Sequence, residues 1–252
     1  MRARRLIAVA SVAAGLVALS GCRSEPGVAA YVGDHRITEN AVTSLLDELR
    51  DKLSVSSQES GASPEEAAQS GPQLPARSEV VTDLVLLDVC QRLAADKGYQ
   101  SPQRITAEDV ATQYNIPADT AYAERVAELI TCRTSLPAEP VAPTEQELAD
   151  LLAAGKAAGV IPAEMTLQNA TAQLDGDQLR EALGQKKLLR EAFAGYGITI
   201  NPRYRPLEIP LLNFAAGHAA LSVPLGELGT DAVTDISTPE PKTTDSTDPD
   251  AS

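Results

Sequence analysis

Tryptophan is absent from this chain, and with two phenylalanines and six tyrosines the aromatics make up 3% of its 252 residues. A core with so few rings has to be filled by Ala, Leu and Val, which suits close-packed helices. Histidine is nearly as scarce: His35 and His218 stand far apart, with no acid or cysteine at metal-ligand spacing. No G-x-S-x-G, H-E-x-x-H, phosphate-binding glycine loop or dinucleotide glycine pattern occurs. Acid pairs such as Asp47-Glu48 and Glu65-Glu66 read as solvated charge. The expectation is therefore a protein without metal, cofactor or catalytic residues, and not an enzyme. Basic residues are also in deficit, with 21 Lys and Arg against 35 Asp and Glu. Nucleic acid and anionic headgroups repel such a chain, so neither is an expected ligand.

What the sequence does have is concentrated at the N-terminus. Arg2, Arg4 and Arg5 precede the apolar run Leu6 to Leu19, and Leu19-Ser20-Gly21-Cys22 follows. This is the layout of a secretory signal, and the run is too short to span a bilayer as a helix. The Leu-Ser-Gly-Cys order resembles a bacterial lipobox, in which Cys22 takes a diacylglycerol on sulfur and becomes the mature N-terminus. The competing reading is an ordinary signal with an incidental cysteine. On the lipobox reading residues 1–21 are removed with three arginines and no acid, leaving a chain of net charge about −17. Its membrane contact would come from lipid alone, with two or more acyl chains holding it stably at the extracytoplasmic face.

Downstream, Val28 to Val32 is β-prone and Gly33-Asp34 is turn chemistry. Thr38 can cap a helix in which Val42, Leu45, Leu46, Leu49 and Leu53 form one apolar stripe. Residues 54–77 are rich in Ser, Gln, Glu, Gly and Pro, and read as a flexible loop. Ser78 is the expected cap of a second helix running to about Lys97, apolar around most of its circumference and hence central in the fold. Shorter helices are expected after Thr106, from about Asp119 to Arg133, and after Thr144. Another should open at Asp177, while Pro162 to Leu174 fits no period cleanly. Ile198-Thr199-Ile200-Asn201 alternates like a strand that can pair with Val28–Val32. Residues 205–252 hold only weak apolar patches, 207–214 and 219–225, and read as a largely disordered acidic tail.

Once Cys22 carries lipid, Cys90 and Cys132 remain as an even pair in an oxidising compartment. Each lies on an expected helix beside apolar neighbours, and two packed helices could bring them into a disulfide. Two independent buried thiols are the alternative.

The run Val28-Ala-Ala-Tyr-Val-Gly-Asp-His-Arg-Ile-Thr38, followed by an amphipathic helix, resembles the opening of SurA-type periplasmic chaperones. Tyr196-Gly-Ile-Thr-Ile-Asn-Pro-Arg-Tyr204 is similar to the closing strand of SurA-like lipoproteins of high-GC Gram-positive bacteria. The resemblance implies a mainly α-helical domain over residues 22–204, with a small two-stranded sheet pairing its N- and C-terminal ends. It also implies helices that form a client-binding module. The parvulin-type isomerase domain of longer relatives has no counterpart, because residues 133–178 are too few and contain no histidine. Arg205 stands where relatives usually have Gly.

The expected function is an ATP-independent, membrane-anchored holder of unfolded secreted polypeptides without prolyl isomerase activity. The alternative is a structural lipoprotein, or one that binds a dedicated partner on the same scaffold. Candidate client-binding residues are Val42, Leu45, Leu46 and Leu49 on the first helix with Leu86 and Leu93 on the second. The same stripes could equally be spent on the protein's own core.

Overall fold

The computed structural model describes residues 27–60, 73–137 and 139–226. The expected signal segment with Cys22, residues 61–72 of the expected loop and residues 227–252 of the expected tail lie outside the described residues. The protein is mainly α-helical with two small antiparallel sheets. Its strands are β1 (Val28–Val32), β2 (His35–Thr38), β3 (Ile198–Ile200), β4 (Glu208–Asn213) and β5 (Ala219–Pro224). Its helices are α1 (Glu39–Ser60), α2 (Arg77–Lys97), α3 (Ala107–Tyr114), α4 (Ala121–Ser135), α5 (Glu145–Ala157), α6 (Leu167–Leu174) and α7 (Asp177–Tyr196).

Threonine sets the start of most helices. The Oγ1 atoms of Thr38, Thr106, Thr120, Thr144 and Thr166 accept backbone N–H groups three residues on, at the heads of α1, α3, α4, α5 and α6. Asp109 and Glu147 complete capping boxes by accepting from the Thr106 and Thr144 amides. These bonds hold the Asp109 and Glu147 carboxyls below their ordinary range. Ser78 does not cap α2. The helix starts a residue earlier, and the Glu79 carboxylate accepts from the Ala76 amide at 2.7 Å.

The first sheet has three strands, in the order β2-β1-β3, where two were expected. Gly33 supplies the tight turn that folds β2 back on β1, at φ 60°. A Cβ there would also stand 3.3 Å from the Tyr196 carbonyl oxygen. As expected, β1 pairs with β3, with Ala30 opposite Ile200 and Val32 opposite Ile198. Ala29, Ala30 and Val32 are all buried, as befits a central strand.

The ends are tied further by the turn after β3. Asn201 donates from its side chain to the Val28 carbonyl at 2.8 Å and caps the 3-10 turn Pro202–Tyr204. Tyr204 Oη donates to Glu39 Oε2 at 2.7 Å, and Arg77 donates to the same oxygen at 3.1 Å. Arg203 stands 3.5 Å from Oε1. One largely buried carboxylate thus joins the heads of α1 and α2 to the returning C-terminal segment.

Two expectations are corrected. Residues 54–60 of the expected loop are helical, because α1 continues to Ser60. The folded region does not stop at Tyr204, because β4 and β5 form a second antiparallel sheet, with Ile209 opposite Val223. Leu207, Ile209, Val223 and Leu225 enter the main core. Pro210 hides this strand in the sequence, but it faces outward next to a register shift, where a missing N–H is tolerated.

A smaller cluster, Leu148, Leu151, Leu179 and Leu183, is covered by Leu212, Phe214 and Leu221 of the hairpin. Both α7 and the hairpin therefore contribute to both clusters.

Candidate functional site

α2 runs through the centre, and α4 crosses it. Cys90 on α2 and Cys132 on α4 are joined, with sulfurs 2.06 Å apart. One helical segment away, Tyr122 Oη of α4 donates to Asp83 Oδ2 of α2 at 2.8 Å. Burial pushes the Asp83 carboxyl up to about 6, against the pull of the Tyr122 hydrogen bond; Glu79 adds to the rise and Arg133 opposes it. The Tyr122 hydroxyl is pushed up as well, first by burial and then by the Asp83 charge.

Two clefts flank this crossing and share Gln91. The smaller, of about 490 Å³, lies between β2, α1, α2 and the head of α4. Leu45, Leu84 and Leu87 give it an apolar floor, and β2 forms one wall. Its charged groups are tied to the scaffold. Glu48 accepts from the Ala121 amide at 3.2 Å, and Asp88 takes His35 at 2.9 Å and Arg92 at 3.0 Å.

β2 is the last strand of its sheet, and no described strand pairs with its outer side. At the other edge, the chain leaving β5 passes β3, where a Cβ on Gly226 would meet Ile200 at 3.0 Å. The larger cleft, of about 1020 Å³, lies between the end of α2, residues 99–106, the head of α3 and the outer face of α4. Its lining mixes polar and apolar groups about evenly, with Cys132 in its wall.

The six candidate client-binding residues divide unevenly. Val42, Leu46, Leu49, Leu86 and Leu93 are buried in the main core. Their apolar stripes face β1 and each other's helices, so they are corrected from a binding groove to core packing. Leu45 alone of the six lines a cleft, half-buried. Leu84 and Leu87 share its cleft, although on a helix apolar all round nothing in the sequence separates them from Leu86 or Leu93. His35 is exposed as expected, but it is anchored by Asp88 at the rim.

Among the described residues no group of three or more His, Cys, Asp or Glu side chains is arranged to hold a metal ion. No described helix is long and apolar enough to cross a membrane. Comparison with family models, curated proteins and solved structures finds no match to this chain.

Proposed function

We propose that this chain is a lipid-anchored extracytoplasmic protein that holds extended segments of unfolded secreted polypeptides, without ATP, metal or isomerase chemistry. The observation that carries the reading is β2, the last strand of its sheet with no described strand on its outer side, beside an apolar-floored cleft. A strand edge binds backbone, which every polypeptide offers, while an adjoining pocket takes side chains; that combination gives sequence-tolerant recognition. Because β2 spans only His35–Thr38, each contact is short and should be weak and reversible. Burial of the two stripes in the core restricts the surface to this edge and to the half-buried Leu45 and Leu84. The Leu-Ser-Gly-Cys segment ending at Cys22 supports the anchor, and the acidic excess favours clients carrying basic residues.

The test is binding of unfolded peptides to the mature protein by fluorescence anisotropy, with amide exchange as the site readout. Bound peptide should protect the β2 amides, and Leu45→Glu should weaken binding about tenfold or more while the circular dichroism spectrum stays unchanged. Binding of one sequence and no other would favour the dedicated-partner reading. Binding with unaltered β2 exchange would remove the edge from the proposal.

A further inference from the structure

The two cysteines that join α2 to α4 are unequally placed. Cys90 is 2% exposed, on a stretch of α2 whose Leu86, Leu87, Val89 and Leu93 are all buried. Cys132 is only half-buried, near the end of α4, and forms part of the wall of the larger cleft. Thiol–disulfide exchange requires a thiolate and a disulfide sulfur to meet in line, so the sulfur that faces open space is the one that reacts with an outside partner. We propose that Cys132 is the exchange site of this chain and Cys90 its resolving cysteine, with a disulfide-carrying donor docking in the larger cleft.

The electron balance is complete with that donor. In the reduced chain the Cys132 thiol loses its proton and the thiolate attacks one sulfur of the donor disulfide. A Cys132–donor mixed disulfide forms, and the other donor sulfur leaves as a thiolate. The Cys90 thiol then loses its proton to water and its thiolate attacks Cys132 Sγ, so that the Cys90–Cys132 bond forms, the Cys132–donor bond breaks, and the second donor sulfur leaves as a thiolate; the two donor thiolates take up the two released protons from water. The chain's two thiols are oxidised and the donor disulfide is reduced to two thiols.

Charge in the cleft sets the donor class. Glu108, Glu124 and Glu128 line it with Arg104, and Arg125 beside it pairs with Glu128 at 3.1 Å, which leaves an excess of negative charge and so a negative field. That field opposes an anionic disulfide and draws a cationic one. A cleft of about 1020 Å³ has room for a small disulfide or for an exposed protein segment bearing a Cys-X-X-Cys disulfide. This inference does not depend on the peptide-holding reading.

The experiment uses the mature chain, reduced in its folded state, exposed to limiting cystamine, quenched with acid and mapped by mass spectrometry. The first adduct should sit on Cys132, in at least about tenfold excess over Cys90. A parallel arm with an oxidised Cys-X-X-Cys protein shows whether the cleft also admits a macromolecular donor. In both arms an adduct on Cys132 supports the assignment, while equal labelling or preference for Cys90 overturns it. Oxidation by cystamine should exceed oxidation by glutathione disulfide severalfold at low salt, and the gap should close as salt rises. Equal rates at low salt overturn the cationic donor class. Cys90→Ser and Cys132→Ser variants provide a second reading: only the thiol left in Cys90→Ser should react rapidly.

Discussion

At the scale of single residues the core chemistry is most exposed at Asp83, a carboxylate on a helix that is otherwise packed on nearly every side. A raised carboxyl pKa means that the folded chain prefers the protonated form. The contribution of Asp83 to stability is therefore fully present below pH about 4 and is lost as pH rises through about 6. Asp109, Glu147 and Asp175 have lowered values and act the other way, contributing at neutral pH and losing that contribution in acid. Replacing Asp83 with Asn keeps an acceptor for Tyr122 and removes the charge. Asp83→Asn should be more stable than the wild type by about 1–2 kcal/mol at pH 7.5, and the difference should vanish by pH 4. Urea denaturation at the two pH values checks this, and a pH-independent difference would contradict it. The sequence places Asp83 on an apolar helix but does not show its depth. It likewise marks Glu39 only as an acid suited to a helix start, since its partners Arg77 and Tyr204 are 38 and 165 residues away.

At the scale of elements, most helices were legible because their signals are local, whereas α6 lies in the stretch from Pro162 to Leu174 that fits no period. Thr38, Thr106 and Thr144 mark the heads of α1, α3 and α5, and Gly98 marks the end of α2 with a φ of 69°. The pairing of β1 with β3 was legible for a different reason: each is a short β-prone run without another evident partner. The hairpin was not, because Pro206, Pro210 and Pro224 interrupt its alternation and its burial depends on a surface assembled from distant elements. That surface gives the hairpin a measurable weight. A chain ending at Tyr204 uncovers Leu148, Leu151, Leu179 and Leu183 and removes Leu207, Ile209, Val223 and Leu225 from the core. It should be less stable than a chain ending at Gly226 by well over 3 kcal/mol, at about 1.5–3 kcal/mol per buried side chain. Thermal melts of the two truncations decide it; equal melting temperatures would show that the hairpin adds nothing to the folded state.

At the scale of the whole molecule, one feature of the packing controls how it unfolds. α7 places Leu179 and Leu183 in the smaller cluster and Leu189, Ala192 and Phe193 in the larger, and β4 and β5 divide their side chains in the same way. Neither cluster can open without exposing apolar surface of the other, so the two should melt as one unit. The Cys90–Cys132 bond joins α2 and α4, whose Val85, Val89, Val126 and Leu129 lie in the larger cluster, and closes a sequence separation of 42 residues. On the chain-entropy account such a closure stabilises by about 3–4 kcal/mol, chiefly by restricting the unfolded chain. Because unfolding is shared, that loss should appear across the whole described fold and not only at α2 and α4. The Cys90→Ser, Cys132→Ser double variant should therefore melt in a single calorimetric transition, lowered by about 6–16 °C relative to the oxidised wild type. Amide protection in α5 and α7 should fall together with that in α2. A variant showing two transitions, with the smaller cluster melting at the wild-type temperature, would separate the clusters and refute the coupling.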